Sequence, residues 1–202
     1  MPHADSALVP QGLDKAAFWD HIHDQLAALL EGQRNWVTNL ANASSLIYNS
    51  LLAFEPYFGD KERAVNWCGF YIVSSLFPSP RISQADGNEA EARSQLLLGP
   101  FCGKPACQFI NTTPGKARGV CADAFLGRRV IRVHNVNEYP GHIACDGETK
   151  SEIVCPLTLG ANGEEIAVGV LDLDCLAFGG FTEDDERGLE KIADLVVAAC
   201  DW

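Results

Sequence analysis

The chain is short of positive charge: 15 Lys and Arg stand against 27 Asp and Glu, for a formal net charge of -12 at pH 7. Nucleic acids and anionic membrane surfaces are gripped by clustered Lys and Arg. No basic stripe offsets the deficit, so both partner classes are disfavoured. No apolar run approaches the ~20 residues that span a bilayer. The opening Met1-Pro2-His3-Ala4-Asp5-Ser6 has neither a charged-then-apolar leader nor an Arg-rich amphipathic character. The expectation is a soluble, cytoplasmic protein. Also missing is any CxxC pair matched by a second CxxC or an HxxxH, the usual zinc frames. No internal repeat is present.

What remains is a chain of 202 residues, 47% hydrophobic and 21% charged, which suits one globular domain with a sizeable core. It carries eight cysteines. A reducing cytosol keeps structural disulfides from forming, which leaves packing or thiol chemistry to explain them. Cys68, Cys155, Cys175 and Cys200 sit in apolar or strand-like runs and read as small hydrophobes. Cys102, Cys107, Cys121 and Cys145 lie beside Gly, Pro or polar residues and are the chemical candidates.

The most informative stretch runs from Tyr139 to Val154. It sets Cys145 between a Gly-rich turn and a polar loop, with Glu152 following where a strand-like run begins. A thiol there is displayed rather than packed. Reactive cysteines need access and a local proton partner, and His142, Asp146 and Glu152 are at hand. The same stretch also reads as a polar loop with a chance cysteine.

Around it, periodicity predicts a tail over Met1–Gly12, expected to be mobile, and amphipathic helices over Leu13–Glu31 and Asn35–Phe54. A strand is predicted over Val65–Val73, then an exposed, flexible loop over Ser74–Arg93. Strands Ser94–Phe101 and Ala106–Asn111 follow, joined by a turn at Cys102-Gly103-Lys104-Pro105. Next come a short helix over Gly119–Gly127 and a strand over Arg129–Val136. Strands Ser151–Leu159 and Glu165–Leu173 are linked through Asn162-Gly163, and a helix begins at a capping-box-like Thr182-Glu183-Asp184-Asp185. The order predicts an α+β fold, one antiparallel sheet with helices on both faces, over residues 13–202.

Strand alternation puts Trp67, Gly69 and Tyr71 on one face, and sends Asp172 and Asp174 into a shared space. Two converging carboxylates can bind an ammonium, and each raises the other's pKa. A solvated strand end would carry the same pair. Cys121, near a helix start where a thiolate is favoured, is either a second reactive thiol or a small residue tucked under the helix.

Trp67-Cys68-Gly69-Phe70-Tyr71, Leu98-Gly99-Pro100-Phe101, Gly103-Lys104-Pro105-Ala106-Cys107, Gly119-Val120-Cys121, Gly141-His142-Ile143-Ala144-Cys145-Asp146, Ser151-Glu152-Ile153-Val154 and Gly169-Val170-Leu171-Asp172-Leu173-Asp174 stand in this order along the chain. Taken together, these blocks resemble the free methionine-(R)-sulfoxide reductases, which are GAF-domain enzymes. The resemblance covers about Asn35 to the C-terminus. It implies a GAF sheet with a small-molecule pocket, reduction of the R-sulfoxide of free methionine, a thioredoxin-type reductant, and neither a metal nor an organic cofactor. A homodimer is also suggested. Position by position, it implies Cys145 as nucleophile, Cys107 as the thiol that resolves it by disulfide formation, and Cys121 as the third family cysteine. The segment between Cys107 and Cys121 is longer here than the family pattern.

On that reading Glu152 orients or protonates the sulfoxide oxygen, with one of the Asp pair as the other candidate. Asp172 and Asp174 hold the substrate ammonium, and Trp67 and Tyr71 wall the methylthio end. Two other functions fit the same fold: a non-catalytic GAF sensor of a small ligand, and a thiol redox switch. Cys102 has no assigned role.

Overall fold

The computed structural model describes residues 3–78, 94–161 and 164–202. Two helices open the fold, α1 (Lys15–Leu30) and α2 (Trp36–Ala53). Each starts on a side-chain cap: Asp14 accepts from the Ala17 N–H, and Asn35 from that of Thr38. Ahead of them, His3–Ala7 forms a single 3-10 turn, and Ala7 and Val9 rest on the core.

The sheet consists of β1 (Val65–Val73), β2 (Gln95–Gly103), β3 (Phe109–Asn111), β4 (Ile131–Val133), β5 (Ser151–Ala161) and β6 (Glu164–Cys175). Its order is β3-β2-β1-β6-β5-β4, and every pairing is antiparallel. The described residues hold two more helices, α3 (Val120–Gly127) between β3 and β4, and α4 (Glu183–Ala198) near the end. The Thr182/Asp185 capping box that starts α4 is formed. Asp185 is fully buried, and besides capping α4 it accepts from Trp19 Nε1 at 2.9 Å and pairs with Lys15, binding α4 to α1.

Alternation along the central strands sorts the side chains into two cores. Cys68, Phe70 and Ile72 of β1, with Leu171 and Leu173 of β6, face α1, α2 and α4. Each large apolar side chain buried there contributes about 1.5–3 kcal/mol. Trp67 and Tyr71, with Val154 and Val170, face the opposite way, toward α3. Among the described residues helices thus lie on both faces, three against one.

The strand expected over Arg129–Val136 is shorter, Ile131–Val133. Asn135 ends it, its side chain accepting from the Asn137 N–H to start a 3-10 turn at Val136–Glu138. The turn expected at Cys102–Pro105 begins later, because Cys102 and Gly103 still pair with Cys68 and Trp67 of β1. Of the loop expected over Ser74–Arg93, Ser74–Leu76 forms a 3-10 turn and residues 79–93 lie outside the described residues. Asn162 and Gly163 lie outside them too, and the flanking Ala161 and Glu164 are paired.

Candidate active site

A cavity of about 240 Å³ opens on the α3 side of the sheet. Its floor is a row across three strands: Trp67 of β1 pairs with Asp174 of β6, which pairs with Glu152 of β5. Asp172 pairs with Gly69 one row along and projects from the same face. Gly69 permits the wall beside it. A Cβ there would come within 2.6 Å of the Trp67 ring and 2.3 Å of the Phe101 Cβ. Without one, Trp67 stacks between Tyr71 and Phe101, ring centroids 5.8 and 5.5 Å apart.

From above, α3 brings Cys121 down onto the carboxylates. Its N-cap is Gly119 at φ 86°, a left-handed backbone that favours glycine. The Cys121 thiol donates to Asp172 Oδ2 at 3.3 Å and lies 3.9 Å from Glu152 Oε1. Glu152 Oε2 is 3.3 Å from His142 Nε2. Donor atoms of Cys121, Glu152 and Asp172 lie within 4.8 Å of one another, close enough to share a cation. Their charge states work against that use. Burial, then Glu152, then Asp174 hold the Asp172 carboxyl well above the ordinary range, and Asp174 is raised by burial, Glu152 and Asp146.

Cys121 follows the same logic. Its place near a helix start predicts a lowered pKa, but burial and the charges of Asp172 and Glu152 push the thiol well above its usual range. The dipole of a short helix cannot offset that burial together with two acidic side chains at contact distance.

The third wall is the loop from Tyr139 to Lys150. Tyr139 donates to Asp123 of α3 at 2.8 Å. Asn66 donates to Asp146 and Thr149 at 3.2 and 3.0 Å, and Lys104 pairs with Asp146 at 3.0 Å and with Glu148. Held at both ends, the loop presents Cys145 at the mouth, exposed as a residue. Loss of water around its sulfur and a hydrogen bond to the Cys107 thiol push its pKa up to about 12, with the Cys107 backbone N–H acting in the other direction. Cys107 is itself anchored, its carbonyl accepting from the Tyr71 hydroxyl at 3.0 Å.

The family model of the GAF domain matches residues 22–200. The free methionine-R-sulfoxide reductase of Saccharomyces cerevisiae is 39% identical over 198 residues, covering 98% of this chain and 94% of its own. The chain belongs to the GAF-domain family of free methionine-R-sulfoxide reductases. The Escherichia coli reductase is 33% identical over 193 residues, covering 94% of each chain. A crystal structure of the Neisseria meningitidis reductase in complex with its substrate superposes with a TM-score of 0.72 at 29% identity, over 95% of this chain and 93% of that one.

In this reductase-family chain all eight residues singled out from the sequence line one cavity: Trp67, Tyr71, Cys107, Cys121, Cys145, Glu152, Asp172 and Asp174. Cys102 does not join them. Sequence reasoning missed Arg118 and Lys116, which also line the cavity, and the bracing of the Cys145 loop by Asn66, Lys104 and Thr149. The signal for the two cations was their place just ahead of the Gly119 helix start.

Proposed function

We propose that this chain reduces free L-methionine-(R)-S-oxide to methionine through a Cys145 sulfenic acid and a Cys145–Cys107 disulfide. The observation that carries the proposal is that Cys107 and Cys145 line one cavity together with Glu152, Asp172 and Asp174. A non-catalytic sensor has no use for two thiols set over a row of buried carboxyls.

In the proposed cycle the Cys145 sulfur attacks the sulfoxide sulfur as the oxygen takes up a proton, because an unprotonated oxide is a prohibitively poor leaving group. Glu152 supplies or steers that proton, with His142 at 3.3 Å able to replenish it. The thiol proton departs as the sulfur attacks. The protonated oxygen leaves the methionine sulfur as water, a water molecule then attacks the Cys145 sulfur, and the S–S bond breaks, releasing methionine and leaving Cys145 as the sulfenic acid. The Cys107 thiol attacks the Cys145 sulfur, forming the disulfide and releasing water. An external dithiol of the thioredoxin type then exchanges with the disulfide, returning both thiols and leaving itself oxidised.

Asp172 and Asp174 recognise the ammonium. One Asp172 oxygen is buried without a hydrogen-bond partner, and burial and repulsion from Glu152 raise both carboxyls well above the ordinary range. An arriving ammonium relieves that repulsion, so a carboxyl releases its proton as the substrate binds. Arg118 and Lys116 supply positive charge for the α-carboxylate, and Trp67 and Tyr71 face the methylthio group.

The test is methionine release from the free R-sulfoxide with a thioredoxin-type reductant, for wild type and Cys145→Ser. The wild type should turn over repeatedly and the variant not at all. Saturable binding without methionine would favour the sensor, one oxidation without recycling would favour the switch, and repeated turnover by Cys145→Ser would reject the nucleophile.

A further inference from the structure

One pair of thiols lies apart from the cavity. Cys68 and Cys102 face each other directly across β1 and β2, flanked by the pairs Trp67↔Gly103 and Gly69↔Phe101, and the ladder slips only beyond Gly69. Trp67 belongs to the cavity-side core, so its neighbour Cys68 points the other way, and it sits in the helix-side core. Cys102 shares that side, because directly opposed residues of an antiparallel pair project from the same face of the sheet. Both thiols influence the Tyr48 hydroxyl of α2, and Cys102 acts on Cys68. Both are free.

The ladder brings them within bonding reach. Directly opposed residues of an antiparallel pair have Cα atoms ~4.5–5.5 Å apart, inside the ~4.4–6.8 Å that a disulfide bridges. Their Cβ atoms start ~4.5–5.5 Å apart, and the sulfurs join after a closure of up to about 1 Å.

We propose that Cys68 and Cys102 form a second redox-active dithiol, converted by hydroperoxides into a cross-strand disulfide on the helix face of the sheet. Exposure divides the roles, since Cys102 is partly exposed and Cys68 fully buried. The peroxide transfers one oxygen to the Cys102 sulfur, giving a sulfenic acid, and is itself reduced to water or an alcohol. The Cys68 sulfur attacks that sulfur, the S–O bond breaks as the S–S bond forms, and the Cys68 proton leaves with the oxygen as water. Two electrons pass in all, one from each thiol. Burial holds both thiols above their ordinary range, so the reaction is slow beside turnover and responds to sustained peroxide. The cross-link would staple β2 to β1 just before the segment that leads to Cys107. It is independent of the chemistry proposed for the cavity.

The test exposes the full-length protein and its Cys107→Ser/Cys145→Ser variant to hydrogen peroxide, alkylates under denaturing conditions, and maps peptides without reduction. A linked Cys68–Cys102 peptide is expected in both proteins, the two thiols disappearing together and returning with dithiothreitol. Cys102→Ser, a change at a part-exposed position, should leave Cys68 fully alkylatable at the same dose. Three results would overturn the proposal: Cys102 advancing to sulfinic acid while Cys68 stays free, Cys102 bridged to another cysteine, or Cys102 bridged to a second chain.

Discussion

The Tyr71 hydroxyl donates a hydrogen bond to the Cys107 carbonyl at 3.0 Å. That contact ties the aromatic wall of β1 to the segment carrying the thiol that meets Cys145. Tyr71 therefore does more than pack its ring. Burial and the charges of Asp172 and the nearby thiols push its hydroxyl above the ordinary tyrosine range, which keeps the donor proton in place at neutral pH.

Tyr71→Phe keeps the ring and removes this anchor. The expected outcome is a longer-lived Cys145 sulfenic acid, seen as increased trapping by dimedone during turnover, with substrate affinity little changed. Losing one such hydrogen bond costs about 0.5–1.5 kcal/mol, so disulfide formation should slow roughly 2- to 10-fold. Unchanged trapping would remove Tyr71 from positioning Cys107.

Cys107→Ser removes the partner of Cys145. In the absence of external thiols it should release one methionine per subunit and stop, with a sulfenic acid detectable by mass spectrometry at Cys145. Sustained turnover on a thioredoxin-type reductant alone would show that another thiol resolves Cys145.

The three floor carboxyls should separate by kinetic effect. Asp172→Asn and Asp174→Asn should chiefly raise KM, because each removes a partner for the ammonium. Glu152→Gln should chiefly lower kcat, by the ~10²–10⁴-fold that a lost general acid costs. If Glu152→Gln raised only KM while Asp172→Asn lowered only kcat, the two roles would be exchanged.

Stability should carry a pH signature of the same cluster. The Asp172 carboxyl titrates well above the ordinary value of 3.8 when folded, so the folded chain keeps a proton the unfolded chain has lost. Its contribution is full below pH 3.8 and is lost as pH rises through the raised value. Asp172→Asn cannot ionise, so its thermal midpoint at pH 8 should exceed the wild type's, by about 2–4 °C per kcal/mol relieved. The gap should shrink toward pH 5. A gap that grew on acidification would contradict the assignment.

Free Cys145 should alkylate slowly at neutral pH. With a pKa pushed up to about 12, its thiolate fraction rises with pH across the whole accessible range. Iodoacetamide modification of the Cys145 peptide should accelerate about tenfold per pH unit between roughly pH 7 and 10. A plateau below pH 9 would mean the thiolate is stabilised in the resting site.

Local pattern in the chain determined what depends on neighbours in sequence. The β-branched and aromatic run Val65–Val73 is β1 over its full predicted length, and two-residue alternation placed Trp67 with Tyr71, and Asp172 with Asp174, on one face. The α4 capping box was readable in the same way. Tertiary structure decided what depends on register and burial. Which residue of β2 faces Cys68 is a property of the ladder, and no spacing in the chain reveals that it is Cys102. The charge state of Cys121 is likewise nonlocal: the helix start argued for a thiolate, and two carboxylates from distant strands argue successfully against it. Alternation and capping act over a few residues of one segment, whereas electrostatics in a dehydrated cavity sums over every strand that lines it.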